Sequence, residues 1–208
     1  MKRILSFFAA AVLAAVSVSA QTVTLDEVCT SLTEHKVTTG KFVQERKSQK
    51  LKKPVSSSGV YIICTDGVVW KTEKPFPSVS AVTESKIIQT LPSGKKNVID
   101  GSSNEVFKTV SKTLSSLFSG NKKQLEENFI LKDFSAENEQ WILMLEPKDR
   151  TIASVLRSVE LKGSLSGKKA ELCHMQILQN ESDCTSYEFT ENRYKEELSD
   201  AEKLFFKE

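Results

Sequence analysis

Histidine is nearly absent from this 208-residue chain, which carries only His35 and His174, and no G-x-S-x-G segment occurs. Acyl-transfer chemistry needs a nucleophile with an oriented base, so a hydrolase is excluded and the chain reads as a non-enzyme. His35, near the end of the first expected helix, reads as a partner for the helix dipole. Cysteine is scarce as well. Cys29, Cys64, Cys173 and Cys184 form no C-x-x-C and no paired Cys/His spacing, so neither a metal nor a cofactor motif is present. No Pro/Gly/Ser linker, internal repeat or low-complexity run divides the chain, which points to one domain. No second long apolar run follows the N-terminal one, which excludes a further membrane-spanning helix.

What is present begins with an export signal. Lys2 and Arg3 precede an uncharged segment from Ile4 to Val18, and Val18-Ser19-Ala20 closes it with the small residues that a signal peptidase reads. Cleavage after Ala20 is expected, leaving residues 21–208 as one exported domain. Lipidation needs cysteine at the first mature position, which is Gln21, so a soluble, unacylated periplasmic product is expected. Two of the 29 basic side chains lie in the leader, which leaves 27 against 27 acidic ones. A chain of near-zero net charge excludes a nucleic-acid partner. The clusters Lys47 to Lys53, Lys95-Lys96 and Lys122-Lys123 read as solvated loops or edge strands. In an exported protein the four cysteines can form two disulfides, with three pairings open. Buried free thiols are the alternative.

Hydrophobic periodicity gives two helices among many strands. Thr24 and Glu27 form a capping box in front of the stripe Leu25, Val28, Cys29, Leu32. Ser102 and Glu105 repeat the box before Phe107, Val110, Leu114, Leu117 and Phe118, with Gly120 as the stop. Strands are expected over 37–47, 59–64, 68–72, 78–83, 86–91 and 95–99, then over 128–133, 140–146, 155–162, 169–178 and 185–190. Thr65-Asp66-Gly67 and Ser93-Gly94 carry hairpin chemistry. Successive hairpins without crossover helices give an α+β, mainly β fold: a single curled antiparallel sheet, an incomplete barrel of about 11 strands, covered on its concave face by helices.

Several strands are apolar on both faces, among them Trp141 to Leu145, Val60 to Ile63 and Val68 to Trp70. Either both faces are buried in a filled core, or one meets a core and the other a ligand space; a curled sheet under amphipathic helices encloses a concave apolar volume of the second kind. Three segments give this pattern a family. They are Phe42-Val-Gln44-Glu-Arg46, Ser57-Ser58-Gly59, and Trp70-Lys-Thr-Glu-Lys-Pro75-Phe76-Pro77. Together with Trp141-Ile-Leu-Met-Leu-Glu-Pro147, Asp183-Cys-Thr-Ser-Tyr187-Glu-Phe189 and Leu204-Phe205, they resemble the LolA family of periplasmic lipoprotein carriers, in a divergent branch.

The resemblance implies a monomeric carrier that binds the acyl chains of lipoproteins, or another lipid, and shuttles them from inner to outer membrane. An inner-membrane releasing transporter and an outer-membrane acceptor are the implied partners. The implied cavity is lined by Leu25, Val28 and Leu32 of the first helix and by Phe107, Val110, Leu114, Leu117 and Phe118 of the second. Phe42, Ile62, Val68, Trp70, Trp141, Leu143 and Leu145 complete it from the strands. The well-known carriers have an Arg six residues before the tryptophan that matches Trp70, where this chain has Cys64. A thiol cannot supply an Arg's lid-latching hydrogen bonds. Arg46 and Gln44, on one strand face with Phe42, are the candidate substitutes. The alternative function is a lipid-sensing module of the same fold acting on an envelope partner protein.

Overall fold

The computed structural model of the protein describes residues 23–83, 85–101 and 121–207. Eleven strands form one antiparallel sheet: β1 (Val37–Lys47), β2 (Val55–Cys64), β3 (Gly67–Lys74), β4 (Ser78–Val82), β5 (Lys86–Thr90), β6 (Lys96–Asp100), β7 (Phe129–Glu137), β8 (Gln140–Pro147), β9 (Ser158–Ser166), β10 (Lys169–Leu178) and β11 (Cys184–Lys195). Their order is β6-β5-β4-β3-β2-β1-β11-β10-β9-β8-β7. Every neighbouring pair except β1 with β11 is consecutive in the chain, the expected outcome for short turns between apolar runs. Gly67 shows the turn chemistry. It opens β3 at φ +138, and a Cβ there would meet the Val82 carbonyl oxygen at 2.0 Å. The sheet curls without closing, so β6 and β7 are its two edges.

Helices α1 (Leu25–Thr33) and α2 (Lys122–Asn128) pack on the concave face. In the expected capping box the Glu27 amide donates to Thr24 Oγ1 at 3.3 Å and the Thr24 amide to Glu27 Oε2 at 3.0 Å. A nine-residue helix is marginal alone, so its buried Val28 and Cys29 must hold it through packing. Lys122 ties the two helices together at 2.7 Å from Asp26. Beneath them the alternation of β8 buries Trp141, Leu143 and Leu145 against Val159 and Leu161 of β9. The Trp141 ring lies on the backbone of β9 at Gly163, where a Cβ would come within 2.3 Å of Nε1. Each such large apolar side chain contributes about 1.5–3 kcal/mol when fully buried.

The convex face of the β1–β5 half is covered by the chain end. Leu198, Phe205 and Phe206 pack on Val37, Ile62, Val69, Ala81 and Ile88. A short α4 (Asp200–Lys203), boxed by Ser199 and Glu202, and a turn of 3₁₀-helix over Leu204–Phe206 carry this cover. Lys195 fixes it with an ion pair to Glu202 at 2.7 Å. Among the described residues no helix is long and apolar enough to cross a membrane.

All eleven expected strands are present, with shifted ends. β9 starts at Ser158 because Asp149 caps a helical turn, α3 (Arg150–Ala153), accepting from the Thr151 and Ile152 amides. β11 runs to Lys195 through an irregularity opposite Thr39–Lys41, where Glu191 adopts φ +53. The helix expected after Ser102 lies outside the described residues.

Candidate ligand site on the concave face

Strand register builds the centre of the concave face. Tyr61 pairs with Trp70, and Phe42 pairs with Gly59 on one side and Phe189 on the other. Because Gly59 has no side chain, the Trp70 ring reaches across to Phe42, edge-on at 5.1 Å and 84°. Trp70 also lies 5.0 Å from Tyr187 and 6.1 Å from Phe189. Tyr61 meets Phe189 edge-on at 5.1 Å. These separations fall in the range where offset and edge-to-face rings attract one another. Burial pushes the Tyr187 phenol up to about 12, and burial pushes Tyr61 up as well. Both therefore stay neutral, and the cluster presents an uncharged aromatic surface.

The two halves of the concave face differ. Under α1 and α2 it is closely packed, with Phe42 only 2% exposed and Trp141, Leu143, Leu145 and Met175 buried. Beyond Trp70, on β4 to β6, strand alternation puts Val82, Ile87 and Ile99 on the same face. Val82 and Ile87 are half-buried and Ile99 is 54% exposed. Trp70, itself half-buried, stands at the boundary between packed and open surface.

A fork in the sheet lies beside the cluster. β10 pairs with β11 only from His174–Glu188 to Leu178–Cys184, and beyond that the two strands separate. Side chains take over the missing ladder. The Ala170 amide donates to Ser31 Oγ of α1 at 2.8 Å, and Asn192 Nδ2 donates to the Leu172 carbonyl at 3.3 Å. Tyr61 in turn donates its hydroxyl to Asn192 Oδ1 at 2.7 Å. The fork encloses a cavity of about 40 Å³ lined by Ser31, Leu32, Tyr61, Leu161, Leu172 and Asn192 among others. Sites that enclose lipophilic ligands run to about 300–1,000 Å³, so this cavity admits water and not an acyl chain.

The structure distributes the sequence candidates as follows. Leu25, Val28 and Leu32 of α1, and Phe42, Val68, Trp70, Trp141, Leu143 and Leu145 of the strands, share the concave core. Ile62 does not. It pairs with Val69 and lies on the convex face under the C-terminal cover, because the tight turn at Thr65-Asp66 pairs Cys64 with Gly67 and so fixes the parity of the whole hairpin. Phe107, Val110, Leu114, Leu117 and Phe118 lie outside the described residues.

Cys64 also packs with the convex cluster, its thiol 3.6 Å from the Gly67 carbonyl, so it faces away from Trp70. Arg46 is exposed and Gln44 half-buried on the concave side of β1, and among the described residues neither side chain makes a hydrogen bond or ion pair. Of the two readings open for the cysteines, the structure has the free thiols. All four cysteines are unpaired, with Cys29 on the buried side of α1 over one face of the sheet and Cys64 on the other face. Burial chiefly, with Asp26 beside it, pushes Cys29 up to about 11. No group of His, Cys, Asp and Glu suited to a metal occurs among the described residues.

Tyr61, Tyr187 and Phe189 are the cluster members that the sequence candidates omit. Counting outward from the Thr65-Asp66 turn pairs Tyr61 with Trp70, and Tyr187-x-Phe189 has the spacing of one strand face. Both signals were available.

A family model, "Outer membrane lipoprotein carrier protein LolA-like", matches residues 17–184. Among solved structures, a DUF1329 family protein from Desulfovibrio piger is similar at 13% identity and a TM-score of 0.49, covering 85% of this chain and 94% of that one. A LolA superfamily protein from Nitrosomonas europaea is similar at 8% identity and a TM-score of 0.44, covering 85% and 94%. No curated protein matches the chain.

Proposed function

The chain belongs to the LolA-like family of outer-membrane lipoprotein carrier proteins, and from that premise we propose an exported carrier that holds the acyl chains of lipoproteins, or of another lipid, on its concave face and shuttles them from inner to outer membrane. The observation that carries this reading is the ring cluster centred on Trp70, at the edge of an apolar strip that the helices α1 and α2 leave uncovered. Acyl chains lie along Trp70, Val82, Ile87 and Ile99. The half beneath α1 is too tightly packed to take them in this conformation. Each CH₂ removed from water contributes about 0.8 kcal/mol, so a long chain binds without any charged contact. Residues 1–20 act as the removable export signal and the mature protein works in the periplasm, loaded by an inner-membrane transporter and unloaded at an outer-membrane acceptor.

Trp70 is the reporter. Addition of an acylated peptide is expected to shift the emission of the parent protein and not that of Trp70→Phe, which keeps only the buried Trp141. Native mass spectrometry of the protein from its own envelope should show bound lipid. Proven binding with unchanged Trp70 emission puts the site elsewhere, and the absence of both lipid and acyl-peptide binding sinks the carrier reading.

A further inference from the structure

The β1–β2 loop and the β3–β4 loop belong to different hairpins, yet the topology sets them at one end of the sheet. β1 and β3 both pair antiparallel with β2, so they run the same way and their loops leave side by side. The β3–β4 loop holds Phe76 between Pro75 and Pro77, and at 81% Phe76 is the most exposed large apolar side chain among the described residues. Leu51 and Val55 are exposed in and beside the other loop. Around these tips stand Lys50, Lys52, Lys53 and Lys74, all exposed; among the described residues none makes an ion pair within 4.0 Å, and Lys50 acts at longer range on Asp183. The nearby acids are mostly engaged. Glu45 pairs with Lys47 at 2.9 Å, Asp183 accepts from the Gln49 amide at 3.1 Å, and Glu181 pairs with Arg157 at 3.2 Å. Glu73 is the remaining exposed carboxylate of the β3–β4 arm.

We propose that this end of the sheet docks on an anionic lipid bilayer, with Phe76 entering the headgroup boundary and the lysines of the β1–β2 loop facing lipid phosphates. A protruding tip suits a fluid interface, whereas a protein partner is gripped through a groove or a free strand edge. β1, β2 and β3 are interior strands with both ladders filled, so no edge is offered here. The charge is carried by lysine with no arginine in the loop, and protein interfaces are depleted in lysine and enriched in arginine. Point charges on long stems match a diffuse phosphate layer. The inference is independent of what the concave face carries.

Co-sedimentation with vesicles tests it. The exported chain is expected to bind phosphatidylcholine vesicles that contain phosphatidylglycerol, to ignore vesicles of phosphatidylcholine alone, and to dissociate as salt rises. Phe76→Ser should weaken binding about tenfold or more. A triple Lys50→Gln, Lys52→Gln, Lys53→Gln variant should weaken it about a hundredfold, at about fivefold per lysine near an anionic surface. All four positions are exposed, so the variants should melt with the parent. Phe76→Trp adds a second measurement: brominated lipid should quench it beyond the quenching of the parent. No binding to anionic vesicles, or variants that bind like the parent, overturns the proposal. Binding to native envelope membranes but not to protein-free vesicles also overturns it, in favour of a protein receptor. Phe76→Ser should leave the Trp70 response to acylated peptide intact, which separates this test from that of the carrier site.

Discussion

Ser31→Ala is the most informative single change to the cover of the concave face. Ser31 Oγ takes the Ala170 amide at 2.8 Å where β11 no longer does, so one hydroxyl both completes the β10 ladder and pins α1 to the sheet. Removing it leaves a part-buried N–H without its acceptor, a loss that costs about 1–3 kcal/mol. The adjoining cavity of about 40 Å³ lets water reach the amide in the variant, which puts the expected cost in the lower half, about 1–2 kcal/mol. At about 2–4 °C per kcal/mol for a chain of this size, the melting temperature should fall by about 2–8 °C. Native-state hydrogen exchange gives the sharper readout. The Ala170 amide should exchange about 5–30-fold faster, while amides of the β3–β4 hairpin keep the parent rate. Ser31→Thr, which keeps the hydroxyl, should restore protection. If Ser31→Ala melts with the parent and Ala170 stays protected, the hydroxyl does not hold the fork and α1 is fixed by packing alone.

Two further outcomes follow from burial. Tyr61 and Tyr187 are held above the ordinary phenol value, Tyr187 at about 12. A raised native value stabilises fully below the unfolded value of about 10 and is lost as pH climbs through the native one. The contribution of these two phenols should therefore be constant from neutral pH to about 10 and then fall by about 2.7 kcal/mol per pH unit for the two protons, adding to the earlier loss from the raised Cys29 thiol, with tyrosinate absorbance appearing together with unfolding. Tyrosinate formation near pH 10 in a still-folded protein would contradict the burial. Thiol titration checks the cysteines. Without reductant all four should react after denaturation, while in the native protein Cys29, buried and pushed up to about 11, should be the slowest.

The fold was legible in the sequence to an unusual degree because its rules are local. Alternation and turn chemistry located the β3–β4–β5 meander to within a residue or two, and the capping box located α1. What escaped was of three kinds. Short helical turns such as α3 depend on one cap, Asp149, with too few residues to show a period. Parity was the second difficulty. Val60 to Ile63 is apolar throughout, so composition alone does not say which pair faces inward, and Ile62 was assigned to the wrong side. Register across the two-residue turn settles it and promotes Tyr61. The C-terminal cover was invisible for a third reason. Leu198, Phe205 and Phe206 bury against strands far away in sequence, and no local pattern encodes that destination.

The strand order also governs how the molecule assembles. Nine of the ten strand pairings join chain neighbours, in two separate meanders, β1 to β6 and β7 to β11. Only the β1–β11 seam joins them, and it brings together residues as distant as Lys41 and Glu191, 150 positions apart. Closing a loop of that length costs about 4 kcal/mol of chain entropy, and nothing repays it until several rungs have zipped together. The seam is therefore expected to be the slow event, with its two flanking strands exposed until it closes. Stopped-flow kinetics should show substitutions along β1 and β11 slowing folding and those in the outer hairpins hastening unfolding, and the open seam strands are the edges most prone to pair with a second copy of the chain.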